Sequence, residues 1–175
     1  MTRARQHPLE KILERRIAII DGAMGTTIRS YGMTEADIRG ERFRDSTKSL
    51  LNNGDLFSLT KPEMIGDIHR RFLEAGADII ETNTFGGARI ALADNKLEDR
   101  SYELNFAAAK LAREVADQFS TTAQPRFVAG SMGPTNKDLN ITGTTTFAQL
   151  RDDYYLQAKG LVEGGVDYLD RKSVV

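Results

Sequence analysis

The chain has no cysteine, no tryptophan, only two histidines and only four prolines in 175 residues. Without cysteine, these residues form no disulfide, offer no thiol nucleophile and hold no thiolate-bound metal. His7 and His69 are too far apart in sequence to suggest a metal site. His7 falls in a polar leader, and His69 reads as a helix-flank residue beside Ile65 and Phe72, satisfied by neighbours or water. No stretch approaches the roughly 18 consecutive apolar residues of a membrane span. The first 16 residues, "MTRARQHPLEKILERR", lack the apolar segment of a secretory signal, and Glu10 and Glu14 argue against a transit peptide. The expected location is the cytoplasm. An excess charge of one sign is missing too: 24 Lys plus Arg face 25 Asp plus Glu, which gives no reason to expect nucleic acid or a membrane surface as a partner.

What is present is a chain long enough for one domain with a sizeable core. The run "IAIID" at 17–21, bounded by Gly22, predicts a first buried strand. Residues 30–59 read as irregular and polar, with "NNGD" as a turn. Thr60 and Glu63 have capping-box spacing for a helix in which Met64, Ile65, Ile68, Phe72 and Ala75 form one apolar face. Gly76 ends it, and "ADIIET" starts a second strand. A long helix, broken near Asp94 and Asn95, should bury Leu104, Ala108, Leu111, Val115 and Phe119. "RFVAGS" makes a third strand. Thr146 and Gln149 form another capping pair before a helix whose core stripe reads Phe147, Leu150, Tyr154, Ala158 and Leu161. Gly164 and Gly165 then lead into "VDYL", a fourth strand.

The order β-α-β-α-β-α-β predicts an α/β fold with a parallel sheet. Helix, Gly, Ala or Val, Asp, strand occurs twice, at 74–81 and 163–169. Repeated βα units suit a (β/α)8 barrel and also an open doubly wound sheet, and neither G-x-G-x-x-G nor a P-loop is present. In both architectures the C-terminal strand ends face the ligand. Asp21-Gly22, Glu81-Thr82-Asn83-Thr84 and the loop from Ser131 to Thr145 occupy those ends. Carboxylates there suit an ammonium group and free backbone N–H groups suit a carboxylate, as an amino-acid ligand requires. Asp21-Gly22 reads equally well as a plain turn, and the Ser131–Thr145 loop as a solvated one.

The segments "IAIIDGAMGTTI", "EADIRGERF", "LTKPEMI", "EAGADIIETNTFGG", "NFAAAKLAREVAD", "VAGSMGPTN" and "AKGLVEGGVD" resemble the homocysteine-binding module of cobalamin-dependent methionine synthase, over about residues 10–169. "DGAMGT" is a pattern shared with other homocysteine S-methyltransferases, whereas "RGERF" with the "NFAAAKLA" helix points to the cobalamin enzyme. The resemblance implies a (β/α)8 TIM-type barrel of which about the first four βα units are present, a half barrel. It implies transfer of a methyl group to the thiol of homocysteine, giving methionine, with zinc held by three cysteines and with methylcobalamin as donor, itself remethylated by methyltetrahydrofolate. It places Asp21, Gly22 and Thr82 at the homocysteine amino-acid group, Glu81 and Asn83 beside them, and Met132, Gly133 and Pro134 on the rim.

The chain departs from that family in two ways. No residue can serve as a zinc thiolate, so no catalytic residue and no metal ligand is assigned, and neither zinc nor cobalamin is expected to bind this chain stoichiometrically. The fourth strand should deepen and end in Glu-Thr, yet the Glu position falls on Lys172. The reading therefore divides the chain into a leader (1–16), the first half of the barrel (17–169) and a non-native tail (170–175), from a frameshift or a misassembled gene end. The expected partners are homocysteine, the missing half of the barrel, and the folate and cobalamin modules. Open strand edges predict poor solubility or pairing of halves. Two other readings stay open: a methyltransferase using betaine or S-methylmethionine, and a non-catalytic module that binds an amino acid or a subunit.

Overall fold

A computed structural model of the chain describes residues 7–135, 137 and 145–172. The short helix α1 (Pro8–Leu13) leads to a segment around Ile20 that bridges in parallel to Ile79. Three strands follow, β1 (Ile79–Glu81), β2 (Phe127–Met132) and β3 (Tyr168–Arg171), all parallel, in the order β1-β2-β3. With Ile20 beside β1, the four stretches lie side by side in chain order without reversal. The strand expected over 17–21 is thus only a one-residue bridge, held by Ile19 and Asp21 through three backbone bonds to residues 78 and 79. Its outer edge has no neighbour to straighten it.

The repeat seen in the sequence has a physical basis. Gly76 and Gly165 both adopt positive φ, 104° and 100°, which lets the chain leave a helix and turn back into a strand. Two residues later an aspartate reaches to the preceding strand. Asp78 accepts the Ile19 N–H at 2.9 Å, and Asp167 accepts the Val128 N–H at 2.7 Å. Each is also paired to arginine: Asp78 takes Arg16 at 2.6 and 2.7 Å, and Asp167 takes Arg113 at 2.9 Å. The Arg16 hydrogen bond foremost holds the Asp78 carboxyl below its usual range.

The region expected to be irregular, 30–59, is mostly turns and loops as expected, but it holds short helices and carries core. α2 (Met24–Ser30) leads into it, and α3 (Glu35–Arg39), a 3-10 turn at Gly54–Leu56 and α4 (Phe57–Thr60) follow. Ile28, Ile38, Phe43, Leu50, Leu56 and Phe57 join Ile65 and Ile68 in one buried cluster. These apolar residues are separated by polar ones at irregular spacing, so no single period reveals them. The next helix, α5 (Pro62–Glu74), has no side-chain cap. Thr60 bonds back to the Leu56 carbonyl at 3.2 Å, which removes it from the expected capping box.

After β1 come α6 (Arg89–Leu92), two 3-10 turns across the expected break, and α7 (Ser101–Phe119). After β2 comes α8 (Phe147–Glu163), capped by Thr146 and Gln149 as expected. Its buried face matches the expected stripe in part, with Leu161 buried and Leu150, Tyr154 and Ala158 partly covered. Phe147 is 72% exposed, and Asp153, Gln157, Gly160 and Leu161 are buried. The face against α7 must be small: a Cβ at Gly160 would stand 2.9 Å from the Tyr102 carbonyl oxygen, and one at Gly164 2.5 Å from Ala109. On α7, Leu104, Ala108 and Val115 are buried as expected, while Leu111 and Phe119 are partly covered.

β2 is buried at all six positions, as a strand with both faces covered should be. Ile79, Phe127 and Ala129 face α1 through Leu9 and Ile12, while Ile80 and Val128 face α5 and α7 through Leu73 and Ala112. β3 crosses the boundary expected at 169/170: Asp170 and Arg171 pair with Ser131 and Met132, and the Lys172 N–H bonds Met132 at 2.9 Å. Among the described residues no helix is long and apolar enough to cross a membrane. Residues 1–6 and 173–175, at the ends of the expected leader and tail, and residues 136 and 138–144 of the expected third loop lie outside the described residues.

The two outer edges carry exposed apolar side chains, among them Ile17 (83%), Ile19 (57%) and Leu169 (40%). Light scattering on the purified chain is expected to show self-association, reduced when Ile19 and Leu169 are both changed to Lys; a monodisperse monomer of the parent chain would count against this. His69 corrects another expectation. It is fully buried, neither ring nitrogen has a partner, and burial pushes its pKa down to about 4. The unfolded chain takes up that proton near 6.5. The His69 contribution is therefore complete above pH 6.5 and falls as pH drops toward 4, by about 3 kcal/mol. Urea unfolding of the parent chain and His69→Leu across this range should show their stability difference shifting by about that amount in favour of the leucine chain.

Candidate functional site

A cavity of about 830 Å³ opens at the C-terminal ends of the strands. It brings together all five residues expected to bind the substrate: Asp21, Gly22, Glu81, Thr82 and Asn83. Asp21 lies just past the Ile20 bridge, and both its carboxylate oxygens accept the Glu81 N–H, at 3.0 and 3.1 Å. Burial pushes this carboxyl up to about 7, against the opposing effect of the Glu81 N–H. Gly22 is exposed, and a Cβ there would meet nothing within 4 Å. Ala23 follows at φ 52°, before α2. A left-handed residue with a Cβ costs about 1–2 kcal/mol, which the surrounding structure must offset.

Thr82 and Asn83 are committed to the framework. The Thr82 hydroxyl accepts the Ser131 N–H at 3.0 Å and lies 2.6 Å from the Thr84 hydroxyl, which donates to the Ser131 carbonyl at 2.7 Å. Asn83 donates to the Gly54 carbonyl at 2.9 Å and to Ser58 at 3.3 Å. From below, Gln157 of α8 donates to the Thr84 carbonyl at 3.0 Å. Asn105 and Ser101 of α7 donate to the Gly87 carbonyl at 2.8 and 2.6 Å. These bonds satisfy the carbonyls of a buried non-helical turn, which would otherwise be costly.

Glu81 faces the cavity with Lys172, whose ammonium contacts both Glu81 and Asp170, the latter at 2.9 Å. Burial first, and the hydrogen bond with Asp170 second, push the Glu81 carboxyl up. The same bond and Lys172 hold Asp170 down, and Glu81 foremost raises the Lys172 ammonium. Sequence reasoning missed Asp55, a third carboxyl in this cavity. It accepts the Gly86 N–H at 2.6 Å, and burial pushes it up to about 6. The signal was an acidic residue directly before the buried pair Leu56 and Phe57, in a stretch that reads as an ordinary turn.

The three rim residues do not line this cavity. Met132 packs with Ala109 and Leu161 on the helical side of the sheet. Gly133 is buried: its N–H bonds the Phe85 carbonyl at 3.0 Å, its own carbonyl accepts the Tyr154 hydroxyl at 3.1 Å, and a Cβ there would lie 2.4 Å from that Phe85 oxygen. Pro134 is exposed. Gly133 therefore supports the loop behind the opening, and Phe85 itself, half exposed, forms part of the wall.

A model of the homocysteine S-methyltransferase family matches residues 18–170. The chain belongs to this family. Its fold is similar to that of the homocysteine methyltransferase MmuM from Escherichia coli. The metallated form matches with a TM-score of 0.72 and 22% identity, over 94% of this chain and 57% of that one. The oxidized form gives 0.70 and 23%, over 94% and 56%, and the apo form 0.63 and 23%, over 93% and 52%. The chain thus spans little more than half the length of those proteins.

The residues present do not fit the zinc ion implied for such a site. There is no thiolate donor in the chain, and among the described residues no three His, Asp or Glu side chains are placed to hold a metal. The cavity wall instead carries three carboxyls, Asp21, Asp55 and Glu81, together with the cationic side chains of Arg29 and Lys172. Thr82→Val should destabilise the chain by about 1–3 kcal/mol, because the buried Ser131 N–H loses its acceptor. A change within about 0.5 kcal/mol in urea unfolding would show that the strand ends do not depend on this hydroxyl.

Proposed function

We propose that this chain carries the homocysteine-binding part of a methyltransferase that makes methionine, and that it forms the first half of a (β/α)8 barrel. The observation that carries this reading is the convergence of Asp21, Gly22, Glu81, Thr82 and Asn83 on one cavity. The unreversed strand order supports a singly wound barrel over a doubly wound sheet, whose order reverses at a switch point. The motifs "RGERF" and "NFAAAKLA" favour the methionine synthase branch, with methylcobalamin as methyl donor and methyltetrahydrofolate as its source.

In this reading Asp21 receives the ammonium of homocysteine. Its carboxyl is fixed by the Glu81 N–H but faces the opening. The bare backbone at Gly22 leaves room for the amino-acid end to approach. Thr82 and Asn83 position the floor through their bonds to β2 and the Gly54 turn, and touch the ligand only at its margin. Thiol activation is not assigned to any residue here, because the donor set it needs is not in this chain. By itself the chain binds the acceptor without methylating it.

Binding should carry a proton signature. Asp21 titrates at about 7 in the free chain, and a bound ammonium favours its ionised form. Affinity for homocysteine is therefore expected to rise with pH up to about 7 and then level off, with proton release on binding near pH 6. Calorimetry in buffers of different ionisation enthalpy measures both. Asp21→Asn should weaken binding about tenfold or more, the value of one charge-assisted hydrogen bond, and flatten the pH profile. No detectable binding of millimolar homocysteine by the folded chain would overturn the reading.

A further inference from the structure

Alternation along β3 turns Tyr168, Asp170 and Lys172 to one side of the sheet. That side is shared with Ser131, which pairs with Asp170, and with Glu81, which pairs with Ala129 two residues lower, at the level of Tyr168. Lys172 is anchored by its backbone N–H to the Met132 carbonyl at 2.9 Å, and its side chain lines the cavity. Its ammonium contacts Glu81 and lies 2.9 Å from Asp170. The cavity is rich in carboxyls, and two of the carboxylates around it already hold a cation that the chain itself supplies.

We propose that Lys172 is a built-in occupant of the cation position in this mouth, so that an ammonium-bearing ligand reaches Glu81 and Asp170 only by displacing it. The inference rests on the homocysteine-binding reading above and adds a residue that sets the affinity and selectivity of that site. The physical reason is competition between like groups. A primary ammonium donates three hydrogen bonds and seeks two or three acceptors. With Lys172 in place, a ligand ammonium finds Asp21 free for it while Glu81 and Asp170 are engaged. Removing the Lys172 ammonium leaves those carboxyls without their cation, and the ligand ammonium supplies the missing charge. A ligand without an amino group gains nothing from the same change.

Calorimetry with homocysteine and with 4-mercaptobutanoate, the same molecule without its amino group, separates these cases. Lys172→Ala is expected to bind homocysteine about tenfold more tightly than the parent chain, and 4-mercaptobutanoate with about unchanged affinity. Homocysteine binding that is no tighter in Lys172→Ala overturns the proposal, and so does an equal gain for both compounds. If neither compound binds either chain, the homocysteine reading itself falls. The position of Lys172 is then decided by competitive acylation of the ligand-free chain. Lys172 should react about tenfold more slowly than the exposed Lys110, and the rate should recover in Glu81→Gln combined with Asp170→Asn. Equal rates for Lys172 and Lys110 in the parent chain overturn the contact on which the inference stands.

Discussion

The Asp78 carboxylate accepts two bonds from the Arg16 guanidinium and one from the Ile19 N–H. Those three bonds tie the leading segment, which has only one bridge to the sheet, onto the start of β1. The position of Asp21 follows from them. Two residues beyond Ile19, its carboxylate reaches the Glu81 N–H at the other end of the same strand. The mouth is therefore built from its base upward: a paired and largely buried carboxylate at the N-terminal end fixes where the ligand-facing carboxylate stands at the C-terminal end. Asp78 is buried while Arg16 stays half exposed; losing the arginine would leave a buried carboxylate without its cation, in a part of the fold held by few backbone bonds.

Much of this was legible in the sequence. The glycine-aspartate repeat marked the junctions at Gly76 and Gly165, because few residues other than glycine adopt that backbone. The same repeat placed Glu81 and Thr82 at a strand end. Much of the apolar faces of α5 and α7 followed from their period, although Ala75 is exposed and Leu73 is buried in its place. Residues 30–59 did not yield to such reading, since their helices are short and their buried residues belong to no single period. The core stripe of α8 was legible only in part, for a different reason. Its buried face is chosen by what the neighbouring loop requires, an amide at Gln157 for the Thr84 carbonyl and no side chain at Gly160, and hydrophobicity does not register either need.

The polar residues divide into those that build the mouth and those left to meet a ligand, and only contact geometry makes that division. Thr82 and Asn83 look like ligand groups in sequence, yet their hydroxyl and amide are spent on β2 and on Gly54. Asp55 looks like part of a turn, yet it faces the cavity. Without a thiolate in the chain, what these residues can do is limited to holding a ligand.

The bond from Gln157 to the Thr84 carbonyl links the second βα unit to a helix more than seventy residues further along the chain. A ribosome delivers Glu81 to Gly87 long before it delivers α8. Until α8 emerges, the Thr84 carbonyl has the Gly87 N–H as its partner at 3.0 Å and is open to water; α8 then adds a second bond and covers it. A turn of an early βα unit is thus covered by a helix that the chain supplies late.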